Sequence, residues 1–279
     1  MINCKRHAAI ASILALFAAF LAAPASRAEA GAIDALVDAC LDTPGVSLMT
    51  GEETICYNAP IFPEEFLKLH TMPAAKQIII SSPGGNVATA RVMSGILANR
   101  MEKAIIAGPC MSACAMIILP GLKQAEIHHS AHIAVHGIVM MPFATWWGWL
   151  RGDEKPGAMA AMLAQVGYDF SFSLYASGRD HVVDHLAAHD VDMGYIQSVS
   201  DLMTAAAETH PCRVDPNAYW GMLDPEHITR WLAPRVQTPR GFASTLDDPV
   251  NRYFVEDVTA IGPRTYIFNH DYESAVCAD

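Results

Sequence analysis

The stretch that decides the fold is QIIISSPGGN, from Gln77 to Asn86. Its core, Ile78 to Ile80, is apolar on both faces of an extended chain, as in parallel strands covered by helices. The glycine pair that follows can adopt positive φ and present backbone N–H groups without a Cβ in the way. Asn86 can cap a helix whose apolar residues recur at helical spacing up to Arg100. The stretch therefore predicts a buried strand, a turn able to bind an oxyanion, and a helix.

The alternation of strand and helix continues along the chain. Lys103 to Ala107 is the next predicted strand, a helix follows from about Ser112 to Leu119, and Ile133 to His136 is another strand. Strands separated by helices in this order build parallel sheets, so we predict an α/β fold. Further elements are predicted at 46–49 (strand), 63–70, 158–174, 182–188 and 195–207 (helices), and 266–268 (strand).

Three segments are expected. Residues 1–30 combine a basic start, an apolar core and an Ala28-Glu29-Ala30 cleavage site, which is the pattern of a secretory signal peptide. Residues 31–233 form the α/β domain, and residues 234–279 a turn-rich C-terminal extension. We therefore expect an exported protein, periplasmic or secreted.

The composition excludes several classes of protein. The 279 residues are 52% hydrophobic and 17% charged, with a net charge of −11. Such a chain can bury a sizeable core and is not disordered, and its negative charge repels phosphate backbones. We expect no nucleic acid partner.

Six cysteines follow the signal peptide, an even number that indicates disulfides in an exported protein. The expected bridges are Cys40–Cys56 and Cys212–Cys277. Cys110 and Cys114 lie four apart, and if that stretch is helical, neither the spacing nor the Cβ directions favour a bridge. We expect them to be small buried thiols. Because the chain has no C-x-x-C pair, no zinc site is predicted.

An uncharged stretch runs from Ile133 to Leu150 and contains Trp146, Trp147 and Trp149. Its length approaches that of a membrane span, but proline and glycine within it would weaken a continuous helix. We expect it to pack over the core, or to contact a substrate or a membrane surface peripherally, and not to cross a bilayer.

Two further segments carry reactive side chains. Ser112 is a lone hydroxyl among small residues at a strand-to-helix junction, where there is room for a substrate carbonyl. In the segment from His132 to Gly137, strand alternation puts His132 and His136 on one face. The glycine turn at Gly85, Ser112 and the histidine strand follow one another in the chain, and together they match a family pattern that is more specific than any one of them.

In this order, residues 78–137 resemble the ClpP-type serine proteases of the ClpP/crotonase superfamily, especially their exported, periplasmic relatives. The resemblance rests on the Ser82-to-Gly85 turn, on Ser112 and on a strand that ends in His136. Residues 219–226 also look like the strand and helix that close the family's domain. The resemblance implies stacked ββα units with a parallel sheet and a helical extension.

A Ser-His mechanism follows from the resemblance. Ser112 would attack an acyl carbon and His136 would remove its proton, while the N–H groups of Gly85 and Ala113 hold the oxyanion. The implied substrate is a peptide or protein, and no cofactor or metal is needed. The family assembles into rings through a helical segment, and the region after Ala158 could form one, but its length departs from the family's, so a homo-oligomer is an option and a ring is not expected.

The third catalytic group has several candidates. An acid is needed to orient the imidazole. Asp215 is the first choice because of its position ahead of the closing strand, and Asp192 and Asp201 are the second choices. A Ser-Lys dyad like that of the related signal-peptide peptidases would instead use Lys155 as the base.

Two other functions compete with a Ser-His peptidase. One is a catalytically inactive protein of the same fold that binds peptides or partner proteins, and another is a crotonase-like acyl-thioester enzyme. A metal site in the histidine cluster is not expected, because His132 and His136 are four apart without a nearby acidic or sulfur ligand. An α/β-hydrolase is excluded, because there is no G-x-S-x-G motif around Ser112.

Overall fold

The computed structural model describes residues 31–49, 51, 53–136, 168–198, 219–223, 225–237, 258–261 and 265–269. The predicted signal peptide and the tryptophan-rich stretch lie outside these residues. The chain divides into two compact units, residues 1–43 and residues 44–279. In the first unit the described residues form helix α1 (31–41) and the turn that ends it.

The second unit is built on a mixed sheet of ten described strands. They are β1 (Gly45–Leu48), β2 (Thr54–Asn58), β3 (Gln77–Ser82), β4 (Lys103–Met111), β5 (Ala125–Ile127), β6 (His132–His136), β7 (Tyr219–Met222), β8 (Val236–Gln237), β9 (Val258–Ile261) and β10 (Thr265–Asn269). The main order is β1-β2-β3-β4-β6-β7-β10-β9, while β5 pairs with β4 and β8. Strands β2, β3, β4 and β6 are mutually parallel, and antiparallel strands extend the sheet on both sides. The predicted α/β class with a parallel sheet is confirmed.

Helices connect these strands. They are α2 (Pro63–Thr71), α3 (Val87–Arg100), a π-helix (Cys114–Ile118) continued by α4 (Leu119–Gly121), α5 (Tyr168–Ala188), α6 (194–198) and α7 (Pro225–Leu232). Asn86 caps α3 as predicted, its Oδ1 accepting the N–H of Thr89 at 2.8 Å. Helix α5 is continuous where two helices were predicted. Within the described ranges, no helix has the length and apolar character that crossing a membrane requires.

The core lies on both faces of the central strands. Ile78, Ile79 and Ile80 of β3 are all fully buried, which confirms the prediction of a strand covered on both sides. Every residue of the π-helix is buried as well. Each such aliphatic side chain contributes about 1.5–3 kcal/mol of burial free energy, so the segments that carry the site rest on a dense apolar base.

Strand β4 pairs with β3 on one edge and changes partner halfway along its other edge. Its first half pairs with β5, and its second half, from Pro109 to Met111, pairs with β6. Gly108, with φ +55°, lies at the change. The strand therefore runs four residues beyond the predicted end at Ala107, which brings its C-terminal end beside that of β3, where Ser82 is in register with Cys110.

Candidate active site

The glycine turn after β3 is held by Ile61, in the segment that follows β2. The N–H of Ile61 donates to the carbonyl of Gly84 at 2.8 Å, and the N–H of Asn86 donates to the carbonyl of Ile61 at 2.8 Å. Gly84 and Gly85 have φ values of +94° and +146°, which L side chains rarely adopt. The two glycines are therefore required by the backbone conformation.

The N–H of Gly85 faces away from Ile61. The carbonyl of Gly84 and the N–H of Asn86 both point toward Ile61. Successive backbone groups of an extended chain point in opposite directions, so the N–H of Gly85 points to the other edge, the β4 side of β3. Among the described residues, this N–H has no hydrogen-bond partner. A backbone donor that the fold leaves unused is available to a ligand.

Ser112 directly follows β4 in a left-handed conformation. Its φ is +53°, and Asp190 is the only other non-glycine residue with positive φ in the described part of the chain. The N–H of Ser112 donates to the carbonyl of Ala134 in β6 at 3.0 Å, and its carbonyl accepts the N–H of Met116 at 2.8 Å. The left-handed region costs an L-residue about 1–2 kcal/mol, and such conformations cluster at functional sites.

The glycine turn and the serine turn are in direct backbone contact. A Cβ added to Gly84 would lie 2.5 Å from the carbonyl oxygen of Met111, 2.6 Å from Cβ of Ser112 and 3.0 Å from the nitrogen of Ala113. Ala113 opens the helical segment, and its N–H has no partner among the described residues. The structure therefore packs Gly84, the neighbour of Gly85, against Ser112 and Ala113.

The sequence prediction for Cys110 and Cys114 is wrong, because the two residues form a disulfide with a Cα–Cα distance of 5.1 Å. The prediction assumed one regular helix through both positions. Cys110 instead belongs to β4 and Cys114 begins the π-helix, so the turn at Ser112 brings their side chains together. Cys40 and Cys56 are each disulfide-bonded as well, while Cys212 and Cys277 lie outside the described residues.

Two buried side chains hold the carbonyls of the π-helix. The hydroxyl of Tyr195 donates to the carbonyl of Ala115 at 3.0 Å, and the Nε2–H of His185 donates to the carbonyl of Ile117 at 2.8 Å. Burial lowers the pKa of His185 to about 4, so the ring is neutral near pH 7. Burial also raises the pKa of Tyr195, which keeps its hydroxyl protonated. Sequence reasoning missed both residues, since partners 68 and 80 positions away leave no local signal.

The predicted base lies on the strand beside the serine turn. Strands β4 and β6 are parallel with Met111 opposite Ala134, and His136 is two residues further along β6, opposite Trp220 of β7. For His136, only the backbone is among the described parts of the structure. His132 on the same strand is buried, and four residues of strand separate the two histidines by about 13 Å.

Most candidates for the third catalytic group lie outside the described residues. Those outside are Lys155, Asp201 and Asp215. Asp192 is described and exposed, and its Oδ1 accepts the N–H of Gly194 at 2.6 Å, where it stabilises the start of α6. This local role accounts for Asp192 without any catalytic function.

The sequence matches no family model and no curated protein. Among solved structures, it is similar to the ClpP protease catalytic domain from Plasmodium falciparum, with 20% identity and a TM-score of 0.23. The match covers 28% of this chain and 51% of that chain, so this chain spans about half the length of that structure. Similarity at this level does not identify a family.

Proposed function

We propose that this chain is an exported serine hydrolase of the ClpP/crotonase type that cleaves peptides or proteins. The observation that carries the proposal is the left-handed Ser112, which packs against Gly84 and directly precedes Ala113. The N–H groups of Gly85 and Ala113 have no partner among the described residues, and they are the proposed donors. A strained serine at a strand-to-helix turn exposes its hydroxyl, and two convergent backbone donors are the requirement for an oxyanion hole.

In the proposed reaction, Oγ of Ser112 attacks the acyl carbon and His136 takes the hydroxyl proton. The carbonyl oxygen becomes an oxyanion that the N–H groups of Gly85 and Ala113 stabilise. The protonated histidine then donates its proton to the leaving group, and water releases the acyl enzyme by the same steps. Asp215 is the proposed orienting acid, and Lys155 is the alternative base if the histidine is not used.

Reaction with a fluorophosphonate tests the nucleophile, because this reagent modifies activated serines. We expect wild-type protein to be labelled at Ser112 and Ser112→Ala to be unlabelled. Ser94→Ala is the control, since Ser94 is a fully buried serine outside the candidate site and its hydroxyl has no described hydrogen-bond partner. Labelling of Ser112→Ala at the wild-type rate would refute the assignment.

The same assay distinguishes the proposed bases. His136→Ala should abolish labelling, Asp215→Asn should reduce it less, and Lys155→Ala should leave it nearly unchanged. Labelling that is lost in Lys155→Ala but kept in His136→Ala would assign the base to the lysine. A folded wild-type protein that is not labelled would favour the inactive peptide-binding function.

Export is tested by intact-mass analysis of protein recovered from an expression host's periplasm or medium. We expect a mature chain that begins after Ala30 and carries mostly oxidised cysteines. Retention of residues 1–30 would contradict the proposed signal peptide.

A further inference from the structure

A disulfide encloses the candidate nucleophile. Cys110 and Cys114 are bonded to each other, and Ser112 is the central residue of the five-residue loop that the bond closes. Both cysteines are fully buried. The bridge, called here the clamp disulfide, is therefore part of the backbone unit that carries the serine hydroxyl.

The clamp disulfide requires the chain reversal at Ser112. Strand geometry would separate residues four apart by about 13 Å, whereas the Cα atoms of Cys110 and Cys114 are 5.1 Å apart. The chain reverses at Ser112, where φ is +53°. Closing the bridge and keeping the serine left-handed are therefore coupled.

Noncovalent contacts also restrain this turn. They include the hydrogen bonds from the Ser112 N–H to Ala134 and from the Met116 N–H to Ser112, and the contact with Gly84. A serine without the bridge would gain free energy by relaxing out of the left-handed region. That relaxation would turn both the hydroxyl of Ser112 and the N–H of Ala113 away from the position of the oxyanion.

The burial of Cys110 and Cys114 indicates that their disulfide is structural and is not a redox switch. Reduction requires a thiolate or another nucleophile to reach a sulfur atom, and the two cysteines have no exposed surface in the folded protein. The bridge is therefore static in the native state.

We propose that Cys110 and Cys114 are positioning residues whose disulfide holds Ser112 and the Ala113 N–H in reactive geometry. This inference rests on the proposed function for its catalytic consequence. Its conformational consequence, a turn that loosens when the bridge is removed, is independent of any activity.

Hydrogen exchange tests the conformational part in the full-length protein. In Cys110→Ala/Cys114→Ala, we expect the Ser112 amide to exchange at least about 10-fold faster than in wild type. The amide of His128, which donates to Ile106 at 2.9 Å elsewhere in the sheet, is the internal control and should change less than about 2-fold. Unchanged exchange at Ser112 would overturn the proposal.

Fluorophosphonate kinetics test the catalytic part. The maximal labelling rate of the double variant should fall about 10- to 100-fold, while the reagent concentration for half-maximal rate stays unchanged, because geometry and not binding is lost. Cys40→Ala/Cys56→Ala is the matched control, which removes the other described disulfide-bonded cysteines and should label at the wild-type rate per folded molecule. Cys110→Val/Cys114→Ala, which restores buried volume, is measured in parallel in case the first variant does not fold.

The two readouts separate the proposals. Faster exchange with slower labelling supports the positioning role. Faster exchange in a protein whose wild type is not labelled supports the clamp and refutes the proposed hydrolase. Faster exchange with unchanged labelling, or an equal loss of labelling in the Cys40/Cys56 control, overturns the positioning role.

Discussion

Gly84→Ala should disturb the contact between the glycine turn and the serine turn. The new Cβ would lie 2.5 Å from the carbonyl oxygen of Met111 and 2.6 Å from Cβ of Ser112, at a residue with φ +94°. The left-handed backbone costs an alanine about 1–2 kcal/mol. Overlap with backbone atoms that cannot move without shifting the sheet adds about 1–3 kcal/mol. We expect the free energy of unfolding to fall by about 2–5 kcal/mol.

Two other glycines separate these contributions. Gly45 has φ +105° with nothing within 4 Å of its added Cβ, so Gly45→Ala should cost only the backbone strain of about 1–2 kcal/mol. Gly95 lies within α3, is also open and has no positive φ, so Gly95→Ala should stabilise the protein by about 0.5–1 kcal/mol. Urea denaturation followed by circular dichroism measures all three variants.

Gly84→Ala should also slow the proposed reaction of Ser112. Because the new Cβ would press on Ser112 and Ala113, folded Gly84→Ala protein should be labelled by fluorophosphonate about 10-fold or more slowly, whereas Gly45→Ala and Gly95→Ala should match wild type. If Gly84→Ala destabilises the protein no more than Gly45→Ala does, the proposed contact between the turns is refuted.

Three more predictions concern the segments that support Ser112. Substituting both cysteines of the clamp disulfide with alanine should lower the free energy of unfolding by about 2 kcal/mol for a five-residue loop, and an unchanged urea midpoint would contradict this. Tyr195→Phe should cost about 1–2 kcal/mol in the same measurement, because it leaves the buried carbonyl of Ala115 without its donor. His185 has a pKa of about 4 in the folded protein against 6.5 ordinarily, so the unfolded chain binds a proton first and stability should fall as the pH decreases from 6.5 toward 4. His185→Gln, which keeps an N–H donor, should flatten that pH dependence of the urea midpoint.

Local signals made the central βαβ unit predictable. The run from Ile78 to Ile80 is long enough and apolar enough to define a strand covered on both faces, and Asn86 has the side chain that an N-cap requires. The positive φ of both turn glycines also follows from residue type. By contrast, β2 (TICYN, Thr54–Asn58) was not predicted, because it is short and places a cysteine and an asparagine within a buried strand.

Contacts between distant segments were not predictable. His185 reaches the π-helix from α5, and no periodicity within α5 marks that residue as the partner of a carbonyl. The continuity of α5 through Gly178 was missed as well, since an isolated glycine weakens a helix prediction without ending the helix. These outcomes depend on which elements pack together, which a local pattern does not contain.

The error at Cys110 and Cys114 shows how the pattern around Ser112 should be interpreted. A spacing of four was taken as helical, but Cys110 lies within β4, which continues to Met111, and a helix cannot begin before that strand ends. Once the strand continues through Met111, the two cysteines must lie on opposite sides of a turn, in which Ser112 adopts φ +53°. A disulfide across such a turn opposes the relaxation of a strained residue inside it. Two cysteines around a lone serine directly after a buried strand therefore predict a turn in which the serine is constrained. The glycine pair after the neighbouring strand lacks a Cβ, which leaves room for this turn.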